Sequence, residues 1–195
     1  MFDGWTQTDF LRNIYNSDYV VVDPDYIERR PASNAQWVAD LFCDSTSTIR
    51  VLDYGGGSGR FAEILRGRGF DAQTYDPFSE HGVLPGGRFN LITSFEVMEH
   101  SSRPRDVVRM LAGLLADEGM IVLSTLVQPR DFDGVGLNWW YVGPRNGHIS
   151  IFSQRSLVGL FAAHGLKLAS LSDNLHLAFR SLPAFAPNAL TGAVT

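Results

Sequence analysis

The sequence predicts an α/β fold: a doubly wound sheet with helices on both faces, mostly parallel, with an antiparallel strand at its C-terminal end. Three observations predict it. Short apolar runs alternate with amphipathic helical runs from residue 49 onward. A glycine-rich turn, Gly55-Gly-Gly-Ser-Gly59, follows the first of those strands directly. The residues with unusual chemistry cluster at the carboxyl ends of the expected strands, where open α/β sheets bind their ligands.

The elements follow in order. Residues 1–33 are rich in Asp, Tyr and Asn and broken by Pro24 and Pro31, with a short helix expected around Phe10–Tyr15. Trp37, Val38, Leu41 and Phe42 fall at helical spacing, and Asp44–Thr48 is a polar loop. Ile49–Tyr54 is the first strand. Phe61, Ile64 and Leu65 mark one face of a helix stopping at Gly67 or Gly69. Phe70–Tyr75 and Phe89–Phe95 are the next two strands. Pro104 opens a helix bearing Val107, Val108, Leu111, Leu114 and Leu115, and Asp117–Gly119 turns into the strand Met120–Leu126. Gln128–Gly147 is a long loop. Ser153 caps a helix ending at Gly165, and Leu166–Leu171 and Leu175–Arg180 form an antiparallel pair. Three regions result: an N-terminal helical cap or lid (1–48, with Tyr15, Tyr19 and Tyr26 as lid residues), a ligand-binding domain (49–182) and a tail (183–195).

Composition bounds the function. With 45% hydrophobic and 19% charged residues, 195 residues suit one domain with a full core. The formal net charge of −5 argues against a nucleic-acid partner, which needs a basic surface. Arg103, Arg105 and Arg109, interleaved with Glu99 and Asp106, read as a solvated face. The single Cys43 excludes an internal disulfide and a Cys-rich zinc site, and reads as a small core residue. Asp131 and Asp133 lack accompanying ligands, so no metal is expected. No apolar run reaches membrane-spanning length, and Met1–Trp5 lacks a secretory pattern, so a cytoplasmic location is expected.

Val51-Leu-Asp-Tyr-Gly-Gly-Gly-Ser-Gly59 reads as the strand and turn of a nucleotide-type cofactor site. Glycines allow a sharp turn and close ligand approach, and the following helix directs its amide dipole at the same spot. A dinucleotide fingerprint needs G-x-G-x-x-G, yet Arg60 or Ser58 occupies a required glycine position in either register. Asp76 lies 23 residues after Asp53, at the end of the second strand, where a carboxylate accepts bonds from both ribose hydroxyls.

The G-x-G-x-G spacing resembles the first motif of class I S-adenosylmethionine-dependent methyltransferases. The segment Phe89–Pro104, with Glu96-Val-Met-Glu-His100, resembles the Glu-x-x-Glu-His signature of ubiquinone-pathway O-methyltransferases and a related bacterial group. Gly119–Thr125 and His148–Ser153 extend the resemblance over about residues 49–180. It implies a Rossmann-like fold, S-adenosylmethionine as cofactor and methyl transfer, with oxygen favoured, to a small-molecule acceptor. On it, Asp53, Gly55, Gly56, Gly57 and Gly59 form the methionine side of the cofactor site, Asp76, Pro77 and Phe78 the ribose side, and Ser94, Phe95 and Glu96 the adjoining strand end. Arg30 matches an arginine that pairs with the cofactor carboxylate. One departure stands out: Pro77–Arg88 is too short for a crossover helix plus a strand, so the third strand and helix are reduced there. Backbone groups near Gly82–Leu84 are then the expected adenine contacts.

On the acceptor side, His148 is the leading candidate base and His100 the second. Trp139, Trp140 and Tyr141 are candidate walls for an apolar or ring-shaped acceptor. Two other functions compete: an NAD(P)-dependent oxidoreductase, and a non-catalytic S-adenosylmethionine-binding protein.

Overall fold

Alternate side chains of each central strand feed two different apolar layers, and that alternation sets the architecture. The computed structural model describes residues 7–14, 21, 23–143 and 147–191; the expected lid residues Tyr15 and Tyr19 lie outside them. In β1 (Arg50–Tyr54), Leu52 and Tyr54 join one layer and Val51 the other. In β4 (Leu115–Ser124), Ile121 and Leu123 face the first layer while Met120 and Val122 face the second. Burial on both faces is the signature of a sheet covered twice.

Helices supply the covers. After a short α1 (Gln7–Asn13), α2 (Arg29–Leu41) brings Ala35, Val38 and Ala39 to the second layer. There they meet Phe61, Ala62 and Leu65 of α3 (Arg60–Gly67). The first layer is covered by α4 (Pro104–Leu114), through Val108 and Leu111, and after a short α5 (Phe132–Val135) by α6 (Gln154–Ala162), through Leu157 and Phe161. Each fully buried Leu or Phe contributes about 1.5–3 kcal/mol of transfer free energy. Ser153 caps α6 as its composition predicts, its hydroxyl accepting the Ser156 amide at 3.1 Å. Gly69, at φ 90°, ends α3 where Phe70 N–H bonds back to Leu65 O at 3.1 Å.

The remaining elements are β2 (Asp71–Tyr75), β3 (Phe89–Phe95), β5 (Lys167–Ser170), β6 (Leu175–Phe179) and a terminal turn of helix, α7 (Asn188–Thr191). The sheet order is β2-β1-β3-β4-β6-β5. β1 runs parallel to β2 and β3, and β3 parallel to β4, while β6 is antiparallel to both β4 and β5. The chain leaves β1 toward β2 on one side and resumes at β3 on the other. That switch point opens a crevice at the carboxyl ends of β1 and β3.

Three details differ from the sequence reading. β4 starts at Leu115, directly after α4, and the expected turn at Asp117–Gly119 survives as a bulge. Phe89 pairs with Leu115 and Leu91 with Met120, so 116–119 loop out opposite Asn90. Cys43 is exposed rather than buried, because it lies in the 3-10 turn Cys43–Ser45 after α2 has delivered its apolar face. Glu99 is wholly buried rather than part of a solvated arginine face, since the 3-10 turn Met98–His100 rotates it inward before α4 begins. The reduction of the third strand and helix is as expected: residues 77–88 form turns only.

Candidate active site

The glycine turn is built by close approach beneath and open space above. A Cβ on Gly56 would stand 1.9 Å from Asp53 Oδ2, so only glycine lets the turn settle on that buried carboxyl. Gly57, at φ 53°, has nothing within 4 Å of the position a Cβ would take. The turn therefore presents bare backbone outward at Gly57. Gly55 and Gly59 flank it, also at positive φ, and Gly59 precedes the first turn of α3.

Asp76 joins this turn to the end of β2. Its Oδ2 accepts the Gly57 amide at 2.8 Å and its Oδ1 accepts the Phe78 amide at 2.7 Å. Each carboxylate oxygen retains a further lone pair for a ligand hydroxyl. Pro77 continues the chain from Asp76, and Phe78 is partly exposed beside it. The 77–88 segment folds back over the turn, with His81 Nε2 at 3.1 Å from Ser58 O. Asp53 lies below. Burial pushes its carboxyl up to about 7; the Thr93 hydroxyl, donating at 3.2 Å, opposes this and the nearby Asp76 charge adds to it. Among the described residues its Oδ2 has no hydrogen-bond partner. Asp53 thus supports the turn from beneath. Ser94, expected at the site, is fully enclosed within β3.

A cleft of about 440 Å³ opens at the ends of β3, β4 and β6. Arg30, Asn34 and Trp37 line it from α2, and Phe95 and Glu96 from the end of β3. Ser124, Asn174 and Leu175 close the far side. The Trp37 and Phe95 rings meet edge to face at 6.4 Å. Arg30 is held by Asp23 through two bonds of 2.8 and 2.9 Å, which ties the N-terminal segment to the cleft rim.

Glu96 carries the one positive φ among described non-glycine residues, 55°. That conformation costs about 1–2 kcal/mol for a residue with a Cβ. Ser124 holds it there: its Oγ accepts the Glu96 amide at 2.9 Å and donates to Glu96 Oε1 at 2.8 Å.

The expected base, His148, is not among the residues that line this cleft. Its Nδ1–H donates to the Tyr141 carbonyl at 2.8 Å, leaving the neutral ring's lone pair on Nε2. Its ring packs 4.9 Å from His100. His100 is half-buried, and desolvation first, then His148, holds it down to about 3. Beside them the buried Glu99 accepts the Tyr141 hydroxyl at 2.6 Å, and burial followed by the Glu96 charge pushes its carboxyl upward. The Ile149 and Ser150 amides bond to Glu99 O at 2.8 and 3.0 Å, anchoring the end of the long loop. Ligand atoms of Glu99, His100 and His148 lie within 4.8 Å of one another, a set compatible with one cation. Sequence spacing alone gave no sign of it, because His148 comes from a distant loop. Trp139 is buried against Tyr141, and Trp140 is 72% exposed. None of the three loop aromatics lines the cleft; the aromatic lining comes instead from Trp37 and Phe95. Trp37 had been legible only as part of a helical stripe.

A family model described as a methyltransferase domain matches residues 26–171. A curated ubiquinone biosynthesis O-methyltransferase from Bordetella avium is 27% identical over 123 residues, covering 50% of this chain and 51% of that protein. The chain thus spans about half the length of that relative. Among solved structures, magnesium protoporphyrin IX methyltransferase from Synechocystis with bound SAH superposes at TM-score 0.57 and 18% identity, covering 92% of this chain and 96% of the other. An O-methyltransferase family protein from Burkholderia thailandensis gives TM-score 0.62 at 15% identity, covering 92% and 64%. These likenesses agree in fold.

Proposed function

This chain belongs to the methyltransferase domain family, and on that premise we propose that it transfers a methyl group from S-adenosylmethionine to a small-molecule acceptor, with oxygen the favoured target. The observation that carries the reading is the pairing of Asp76 with the bared Gly57 backbone at the switch point of the sheet. A carboxylate with free lone pairs beside an open glycine turn suits a ribose diol next to an amino-acid chain. S-adenosylmethionine supplies, when bound, an electrophilic methyl group on a sulfonium centre.

The chain's own residues bind, orient and enclose. Asp76 would hold the ribose hydroxyls. Gly55, Gly56, Gly57 and Gly59 would let the methionine portion lie on backbone, with Asp53 fixing the turn rather than touching the ligand. Pro77 and Phe78 would border the ribose, and backbone near Gly82–Leu84 the adenine. Phe95 would stand between the cofactor and the cleft, which Arg30, Asn34 and Trp37 of α2 also line. Bringing the acceptor into line with the methyl group is the main contribution asked of the protein. The N-terminal segment 1–48 would act as a cap, tied down through Arg30 and Asp23.

Thermal shift with SAH and with NADH tests the cofactor class. Stabilisation by SAH alone is the expected result, and stabilisation by NADH alone would replace it with an oxidoreductase. Transfer of labelled methyl to a panel of hydroxylated and aminated small molecules then separates an enzyme from a silent binding protein.

A further inference from the structure

We propose that His81 is a positioning residue for the cofactor site: its imidazole latches the 77–88 segment onto the glycine turn and so fixes the Asp76 carboxylate where the ribose would lie. This rests on the cofactor reading above and adds to that site a side chain that touches no ligand itself.

The latch closes a ring of three hydrogen bonds. The Gly57 amide donates to Asp76 Oδ2 at 2.8 Å, and the Asp76 amide donates to His81 O at 3.1 Å. His81 Nε2 then lies 3.1 Å from Ser58 O, back across 23 residues of chain. A carbonyl oxygen accepts, so Nε2 is the protonated nitrogen and donates. Gly57 and Ser58 are adjacent, so the path returns to its start. Inside the ring, Ser79 Oγ accepts the His81 amide at 3.1 Å and Asp76 Oδ1 accepts the Phe78 amide at 2.7 Å. Residues 76–81 are thus one bonded turn with the Asp76 carboxylate at its root.

The glycine turn has room for the imidazole and nothing more. A Cβ on Gly59 would stand 2.7 Å from His81 Nε2 and 3.2 Å from Cδ2. A side chain at position 59 would push the ring off its acceptor, so the glycine and the histidine fit each other as a pair.

The shortened segment makes such a latch necessary. β2 is an edge strand, and among the described residues it pairs with β1 alone. Residues 77–88 form turns only, so neither a third strand nor a crossover helix covers the outer side of Asp76. Phe78, Val83 and Leu84 of the segment are exposed, so apolar packing holds it weakly. A carboxylate that must meet two ribose hydroxyls at once tolerates little displacement, and a loosened turn loses that geometry. His81 therefore acts on cofactor affinity through Asp76, with no change in its own protonation.

The test compares the parent with His81→Phe, which keeps a ring against Gly59 but has no donor, and His81→Gln, whose amide nitrogen reaches the same carbonyl. SAH affinity is measured by calorimetric titration, and hydrogen exchange of residues 76–81 is followed without ligand. His81→Phe is expected to bind SAH about tenfold more weakly, the loss of one hydrogen bond, and to exchange faster over 76–81. His81→Gln is expected to restore both to near parental values. Without SAH, both variants should melt within about 2 °C of the parent, since the bond lies at a partly exposed edge. Parental SAH affinity in His81→Phe, or equal weakening in His81→Phe and His81→Gln, overturns this proposal alone. So does weakened binding with unchanged exchange over 76–81, because the latch would then not be what was lost. Failure of the parent to bind SAH overturns the cofactor reading and this proposal with it.

Discussion

Gly57 donates its amide to Asp76 Oδ2 at 2.8 Å, so the turn after β1 and the end of β2 are one hydrogen-bonded unit. Removing the acceptor releases both. Asp76→Ala is predicted to weaken SAH binding by about 10–100-fold, the loss of one or two charge-assisted bonds. Calorimetric titration checks it, and unchanged affinity would remove Asp76 from the cofactor site.

Neighbouring glycines should respond differently to alanine. Gly56→Ala forces a methyl group onto Asp53 and is predicted to destabilise the fold by about 2 kcal/mol or more. Gly57→Ala meets no atom and is predicted to cost only about 1 kcal/mol of backbone strain, while blocking the bare backbone offered to the ligand. Melting curves with and without SAH separate the two. A folded Gly57→Ala protein with parental SAH affinity would contradict the placement.

Asp53 predicts a pH dependence. Its folded pKa, about 7, lies above the unfolded value near 3.8, so the native state holds the proton more tightly. Stability from this group is fully present below the unfolded pKa and falls as pH rises through the folded one. His100 works oppositely: its folded value of about 3 makes stability rise with pH toward its ordinary 6.5. Comparing Asp53→Asn with the parent cancels the histidine contribution. Between pH 5 and pH 8 the variant should gain about 2–3 kcal/mol relative to the parent. Denaturant unfolding at the two pH values measures it, and a constant difference would contradict it.

Tyr141 serves the loop rather than the cleft. Its hydroxyl donates to buried Glu99 and accepts the Leu126 amide at 3.2 Å. Tyr141→Phe is predicted to cost about 1–3 kcal/mol of stability with SAH affinity unchanged. A variant that melts like the parent would show that Glu99 finds another donor.

The strands, the glycine turn and the short 77–88 segment were legible because they depend on local periodicity and on chain length. Asp76 was legible because the end of a strand fixes where its carboxylate sits. The acceptor side was less so. Trp37 lies on a helix whose apolar stripe reads as core, and only tertiary packing against Phe95 brings it to a cleft. Trp139–Tyr141 look alike in sequence, yet one rotates into solvent while the others seal a loop over Glu99. The strain at Glu96 is a backbone angle, which no residue pattern announces.

Equilibrium titration of the parent protein with SAH tests the central claim most directly. Saturable binding at one site per chain, with no competition from NADH, is the predicted result. Absence of SAH binding, or its displacement by NADH, would contradict it.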